Sequence, residues 1–157
     1  MLPVIESLPF QDIIVWDNSV REDFQCFGRF AGISEGKHEH VYVQDDDLII
    51  DALALLEHYE GEGIVANKPP EEEWRFIGGG AFFPKTLPDF SRYVDNYGSD
   101  SDFYRVADVV FAYTHPYESV WVGYEQLLPW HDADNRMYKQ PNHYEVRERA
   151  RARSLNG

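Results

Sequence analysis

From His38 to Gln44 the chain alternates His38, His40 and Tyr42 with Glu39, Val41 and Val43. A period of two predicts a strand with two different faces. Asp12 to Trp16 reads as another short strand, stopped by the turn residues Asp17, Asn18 and Ser19. Phe24 to Ile33 is aromatic and β-rich, with Gly28 and Gly32 as bulge positions in a further strand. The pattern then changes. Leu48 to Leu56 is almost wholly apolar, and Asp47, Asp51 and His58 keep one narrow polar stripe. That predicts a largely buried helix. It opens on Asp45, Asp46 and Asp47, whose carboxylates suit free amides and the positive end of the helix dipole. It runs to about Tyr59 and ends at Gly61 and Gly63.

Val65 to Glu73 reads as a surface loop. Trp74 to Phe83 holds two β-like pieces around Gly78, Gly79 and Gly80. Thr86, Leu87, Pro88 and Asp89 match a capping box and predict a helix to Tyr97. Phe103 to Thr114 reads as a strand, His115 to Glu118 as a turn, and Ser119 to Tyr124 as the returning strand of a hairpin. Asn142 to Glu145 is a second capping box, starting a terminal helix with Arg147, Arg149, Arg151 and Arg153. Arginines two apart do not share a helix face, so a basic amphipathic stripe is not predicted. Strands mostly follow strands. The expected fold is therefore α+β: a single domain with an antiparallel or mixed sheet and two or three helices packed mainly on one face. A compact acidic body is expected over residues 1–140 and a basic helix or tail over 141–157.

A chain of 157 residues can bury roughly two-thirds of its unfolded surface without a disulfide or metal staple. Cys26 is the single cysteine, so no internal disulfide forms. The opening Met-Leu-Pro-Val-Ile-Glu lacks the basic and apolar regions of a secretory signal. No stretch reaches the ~18 apolar residues of a membrane span. The cytoplasm is the expected compartment.

Charge changes the picture most. Asp and Glu number 28 and Lys and Arg 14, for a net charge of −14. From residue 136 onward, Arg136, Lys139 and the four helix arginines face only Glu145 and Glu148, so this stretch is +4 and the rest −18. Eight acids and no Lys or Arg lie between His38 and Asn67. Such a body repels nucleic acid and anionic membrane and attracts basic partners. Four Trp, ten Tyr and ten Phe exceed what a small core needs. Aromatics rimmed by acids supply contact area and orientation to a protein-binding face.

Candidate chemistry is sparse. His38 and His40, two apart on a strand, point to one side, as metal ligands require. With Gly32 before them and Asp45 after, they resemble the first motif of the cupins. That resemblance implies Asp45 as a third ligand. The cupin glutamate is an aspartate here, the following glycine is absent, and no second motif is present. Gly78–Gly80 lacks the Lys-Ser/Thr of a phosphate loop. Cys26 has no helix N-terminus to activate it and reads as an inert thiol. Asp45–Asp47 lacks the spacing of a calcium loop. His115 to Glu118 is a turn whose tip is a candidate contact.

The leading expectation is an acidic, non-catalytic binding protein without a cofactor. It would occlude a basic, nucleic-acid-binding partner, as immunity proteins and anti-CRISPR or anti-restriction inhibitors do. Its carboxylates would stand where phosphates normally lie. Those carboxylates are Asp45, Asp46, Asp47, Glu57, Glu60 and Glu62, with Glu71, Glu72 and Glu73 as a second patch. Two other classes fit the sequence. One is a small enzyme or ligand-binding domain using His38, His40 and His115. The other is an assembly subunit whose basic tail docks on a neighbouring copy.

Overall fold

Strand alternation sorts the apolar side chains onto two faces of one sheet. The computed structural model describes residues 2–89, 102–127 and 139–156. Its helices are α1 (Leu2–Ser7), α2 (Gly28–Ile33, entered through a 3-10 turn at Gln25–Phe27), α3 (Ala52–Leu56), α4 (Phe103–Thr114) and α5 (His143–Asn156). Its strands are β1 (His40–Val43), β2 (Leu48–Ile49), β3 (Ile64–Asn67), β4 (Ala81–Pro84), β5 (Tyr117–Val120) and β6 (Glu125–Gln126). The main sheet runs β1-β4-β3-β5, and β2 pairs with β6 beside it. β4 is antiparallel to β1 and β3, whereas β5 is parallel to β3. The sheet is therefore mixed, and the domain is α+β.

Val41, Val43, Ile64, Ala66, Ala81, Phe83 and Tyr117 meet α2, α4 and α5. Tyr42, Val65, Phe82 and Val120 point the other way, against Leu55 of α3, Tyr59 and Phe10. α2, α4 and α5 thus share one face, and among the described residues the short α3 covers the other. The N-terminal segment joins the two faces around β1. Phe10 packs on Tyr42 (5.3 Å between ring centres), Asp12 reaches His38 (2.8 Å), and Ile14 and Trp16 lie beside Gly32 and Gly28 of α2. Residues 10–16 therefore pass from one face of the sheet to the other beside His38, just before β1.

Several expectations are corrected. Phe103 to Thr114 is a helix, although Val, Phe and Tyr gave it the look of a strand. Every residue from Val106 to Ala112 is buried, and a segment apolar on all sides is what a central helix requires. Pro116 disfavours helical backbone at His115, where ψ turns to 160°. The expected hairpin is thus a helix-to-strand connection, and β5 joins β3. Gln25 to Ile33 is also helical, and Phe24, Phe27, Phe30 and Ile33 recur every three residues along it. Asp12 to Trp16 lies outside the strands. Val65 to Asn67 is not loop but the buried end of β3. Trp74 to Ile77 forms no strand. The helix expected from Thr86 to Tyr97 lies largely outside the described residues.

The Asp45–Asp47 expectation fails for a local reason. Leu48 and Ile49 pair with β6, so the helix starts a turn later. Its cap is Asp51, whose carboxylate accepts from the Ala54 amide at 3.0 Å. The terminal helix formed as expected. His143, Val146 and Ala150 bury one of its stripes, and Val146 and Ala150 pack with Val106 and Val110 of α4. Residues 143–156 are thus a docked helix.

His143 makes this docking sensitive to pH. Burial, then the positive charges of Arg147 and Arg105, hold its imidazole below the ordinary 6.5. The unfolded chain therefore takes up a proton before the folded one does. Stability from this group is intact above 6.5 and lost as pH falls from there toward the folded value. Denaturant midpoints measured across that range should fall more steeply for the parent than for His143→Gln. Identical pH slopes would remove His143 from this role.

Candidate binding surface

Exposed carboxylates gather around α3. α3 and the turn after it carry Asp51, Glu57, Glu60 and Glu62, all exposed. On β5, Glu118 lies opposite Val65 and shares its face. Leu53 and Leu56 stand out from α3 at 55% and 39% exposure. The surface is therefore apolar ridges among carboxylates. Lys68, next to the end of β3, turns its ammonium onto the Pro69 and Glu72 carbonyls.

Four arginines of α2 and α5 are ion-paired. Arg29 pairs with Asp45 (2.8 Å), Arg147 with Asp108 (3.7 Å), Arg149 with Asp102 (2.9 Å) and Arg151 with Glu148 (3.9 Å). Arg147 and Arg151 also sit over the Trp74 ring, at 5.5 and 5.3 Å. Arg75 lies between the Tyr113 and Tyr117 rings. These contacts pin α5 to the segment after β3.

The nine acids marked from sequence divide. Glu57, Glu60 and Glu62 stay together beyond α3. Asp46 is exposed at the far end of β1. Asp45 is held by Arg29, and its amide donates to the Gly78 carbonyl at 2.9 Å. Asp47 is buried at 7% exposure, and its carbonyl accepts from the Leu127 amide. Glu71, Glu72 and Glu73 follow the C-terminal end of β3, away from Glu60 and Glu62, which precede its start. Glu72 caps its own turn by accepting from the Trp74 amide at 3.0 Å. Sequence reasoning missed Leu53 and Leu56, and placed Glu118 on a turn tip where the structure has it on β5. The period of two around Val120 held the signal for Glu118.

His38 and His40 have separate partners. His38 bonds Asp12, and His40 Nδ1 lies 2.8 Å from the Tyr59 hydroxyl. Burial pushes that hydroxyl up to about 12, so it stays neutral. Among the described residues, no group of three or more His, Cys, Asp or Glu could hold a metal ion. A shallow groove of about 440 Å³ runs past Lys37, His38, Glu39 and Lys85. His115 is not at a tip: it is buried, with Nδ1 3.0 Å from the Phe111 carbonyl. Burial, with Asp108 adding to it, pushes the Cys26 thiol well above its ordinary range, which disfavours the thiolate. Gly78–Gly80 is a packed turn. A side chain at Gly78 would strike the Asp45 carboxylate, and Gly80 has φ +98° against the Tyr42 hydroxyl.

No helix among the described residues is long and apolar enough to cross a membrane. Compared with family models, curated proteins and solved structures, the chain matches none of them.

Proposed function

We propose that this is an acidic binding protein that engages a basic, nucleic-acid-binding partner through the α3 face. The observation that supports this reading is the group of exposed carboxylates around α3, Asp51, Glu57, Glu60, Glu62 and Glu118, none of them in an ion pair among the described residues, while Arg29, Arg147, Arg149 and Arg151 are already paired elsewhere in the chain. Asp51, Glu57, Glu60, Glu62 and Glu118 supply long-range attraction and orientation. Leu53 and Leu56 supply apolar area at the centre. The carboxylates occupy the partner's phosphate-binding groups, and the partner is thereby kept from nucleic acid. An immunity protein or an inhibitor of host defence works in this way.

The test is capture from lysate at low and high salt, with captured proteins identified by mass. The expected result is a basic nucleic-acid-binding protein that is released by salt. The double variant Glu57→Lys, Glu60→Lys should bind it at least about tenfold more weakly and with a shallower salt dependence, since reversing two pairs removes over 1.4 kcal/mol. Equal capture by the variant would take the α3 face out of the reading. Capture of nothing at either salt would end it.

A further inference from the structure

We propose that the outer edge of β5 receives an extended, lysine- or arginine-bearing segment of the partner as an added strand. This rests on the reading that the partner is basic, and it assigns the manner of recognition.

β5 is an edge strand, and its inner side is fully used. The Ile64 amide donates to the Pro116 carbonyl at 2.9 Å, and the Lys68 amide to the Val120 carbonyl at 2.9 Å. Residues 116, 118 and 120 therefore turn their backbone groups toward β3. Tyr117, Ser119 and Trp121 turn theirs outward, and among the described residues no group bonds them. Glu118 and Ser119 are exposed. The extended run continues past β3, because the buried Asn67 side chain stands in for a further β3 residue. It accepts from the Val122 amide at 3.0 Å and donates to the Gly123 carbonyl at 3.0 Å. The outward groups from Tyr117 to Trp121 thus form one regular row, long enough for a strand to pair with. Among the described residues the outer edge of β5 is unpaired.

The chemistry of the occupant follows from the side chains along the row. On the α3 side stands Glu118, continuous with the acidic face. On the other side Trp121 is 44% exposed. An incoming strand with a cation facing Glu118 and an apolar residue facing Trp121 meets both, and alternation along a strand delivers that pairing. A second copy fits worse. Antiparallel pairing centred on Ser119 brings the two Glu118 carboxylates onto one face as diagonal neighbours, between chains each carrying −14. Charge on an edge strand opposes self-pairing, and the same charge selects a basic strand.

The experiment uses the full chain and a short peptide alternating lysine and valine, followed by backbone amide NMR and hydrogen exchange. Exchange of the Tyr117, Ser119 and Trp121 amides should slow on binding, while the Glu118 and Val120 amides, already paired inward, should not change. Ser119→Pro should abolish binding, because it removes an outward donor and leaves the β3–β5 ladder intact. Glu118→Lys should weaken the lysine peptide about fivefold, an attractive cross-strand pair becoming a repulsive one. A peptide N-methylated on the amides that face β5 should fail, and one methylated on the alternate amides should bind, which repeats the test without altering the protein. Undiminished capture of the basic partner by Ser119→Pro would overturn strand addition and leave the α3-face reading standing. Loss of capture by Glu57→Lys, Glu60→Lys with no peptide protection at Ser119 would do the same. Wild-type dimers that Ser119→Pro converts to monomers would give the edge to a second copy and overturn the basic strand.

Discussion

Phe111→Ala is expected to lower stability by about 3–5 kcal/mol, the usual cost of emptying a large aromatic site in a core. Phe111 is fully buried on α4. Its ring stands 4.8 Å from Phe83 of β4 and 5.1 Å from Phe30 of α2. It therefore joins sheet, central helix and α2 at one point, and neither neighbour can move into the gap without leaving its own element. For a chain of this size such a loss lowers the melting temperature by roughly 10 °C. Urea unfolding followed by circular dichroism measures it. A change under about 1 kcal/mol would mean that the rings close over the gap and that the three elements are less tightly coupled than the geometry indicates.

Asn67→Ala is the second large effect, through polar rather than apolar loss. Asn67 has no exposed surface, and its amide group satisfies the Val122 N–H and the Gly123 carbonyl. Alanine strands both, at about 1–3 kcal/mol for each group left unpaired in the interior. The damage should be local as well as global. The Val122 amide should exchange with solvent much faster, and peptide binding at β5 should weaken, because the row of outward groups ends at Trp121. Asn67→Asp should also be destabilised, since a carboxylate still accepts from Val122 but faces the Gly123 carbonyl without a proton to give. Val122 exchange at the wild-type rate in Asn67→Ala would show that the segment is held by something other than this side chain.

The fold class and several elements were legible from local pattern. β1 showed through strict alternation, and α5 through the Asn142–Glu145 pattern at its start. α4 did not, because β-branched and aromatic residues suit a strand locally, while burial on all sides suits a helix, and only the tertiary setting chooses between them. Its twelve residues were the usable signal, being long for a strand. The same limit applied to the acids. Composition showed an acidic stretch from His38 to Asn67 but not which carboxylates stay free. Asp45 meets Arg29 from an element sixteen residues earlier, Asp47 is buried under the β2–β6 pair, and Asp51 rather than the triplet caps α3. The paired state of the arginines was equally invisible, since Asp108 and Asp102 lie far from them in the chain.

The strand order has a consequence for how the molecule forms. His40 pairs with Pro84, and Ile64 with Tyr117. Only β3 and β4 are neighbours in both chain and sheet. Closing β1 onto β4, or β5 onto β3, requires long stretches of chain to be drawn in before any ladder compensates their lost freedom. High contact order of this kind slows the search. The β3–β4 pair is the natural seed, and β5 joins only after α4 has carried the chain back across the sheet. The open edge is thus among the last parts of the sheet to be completed.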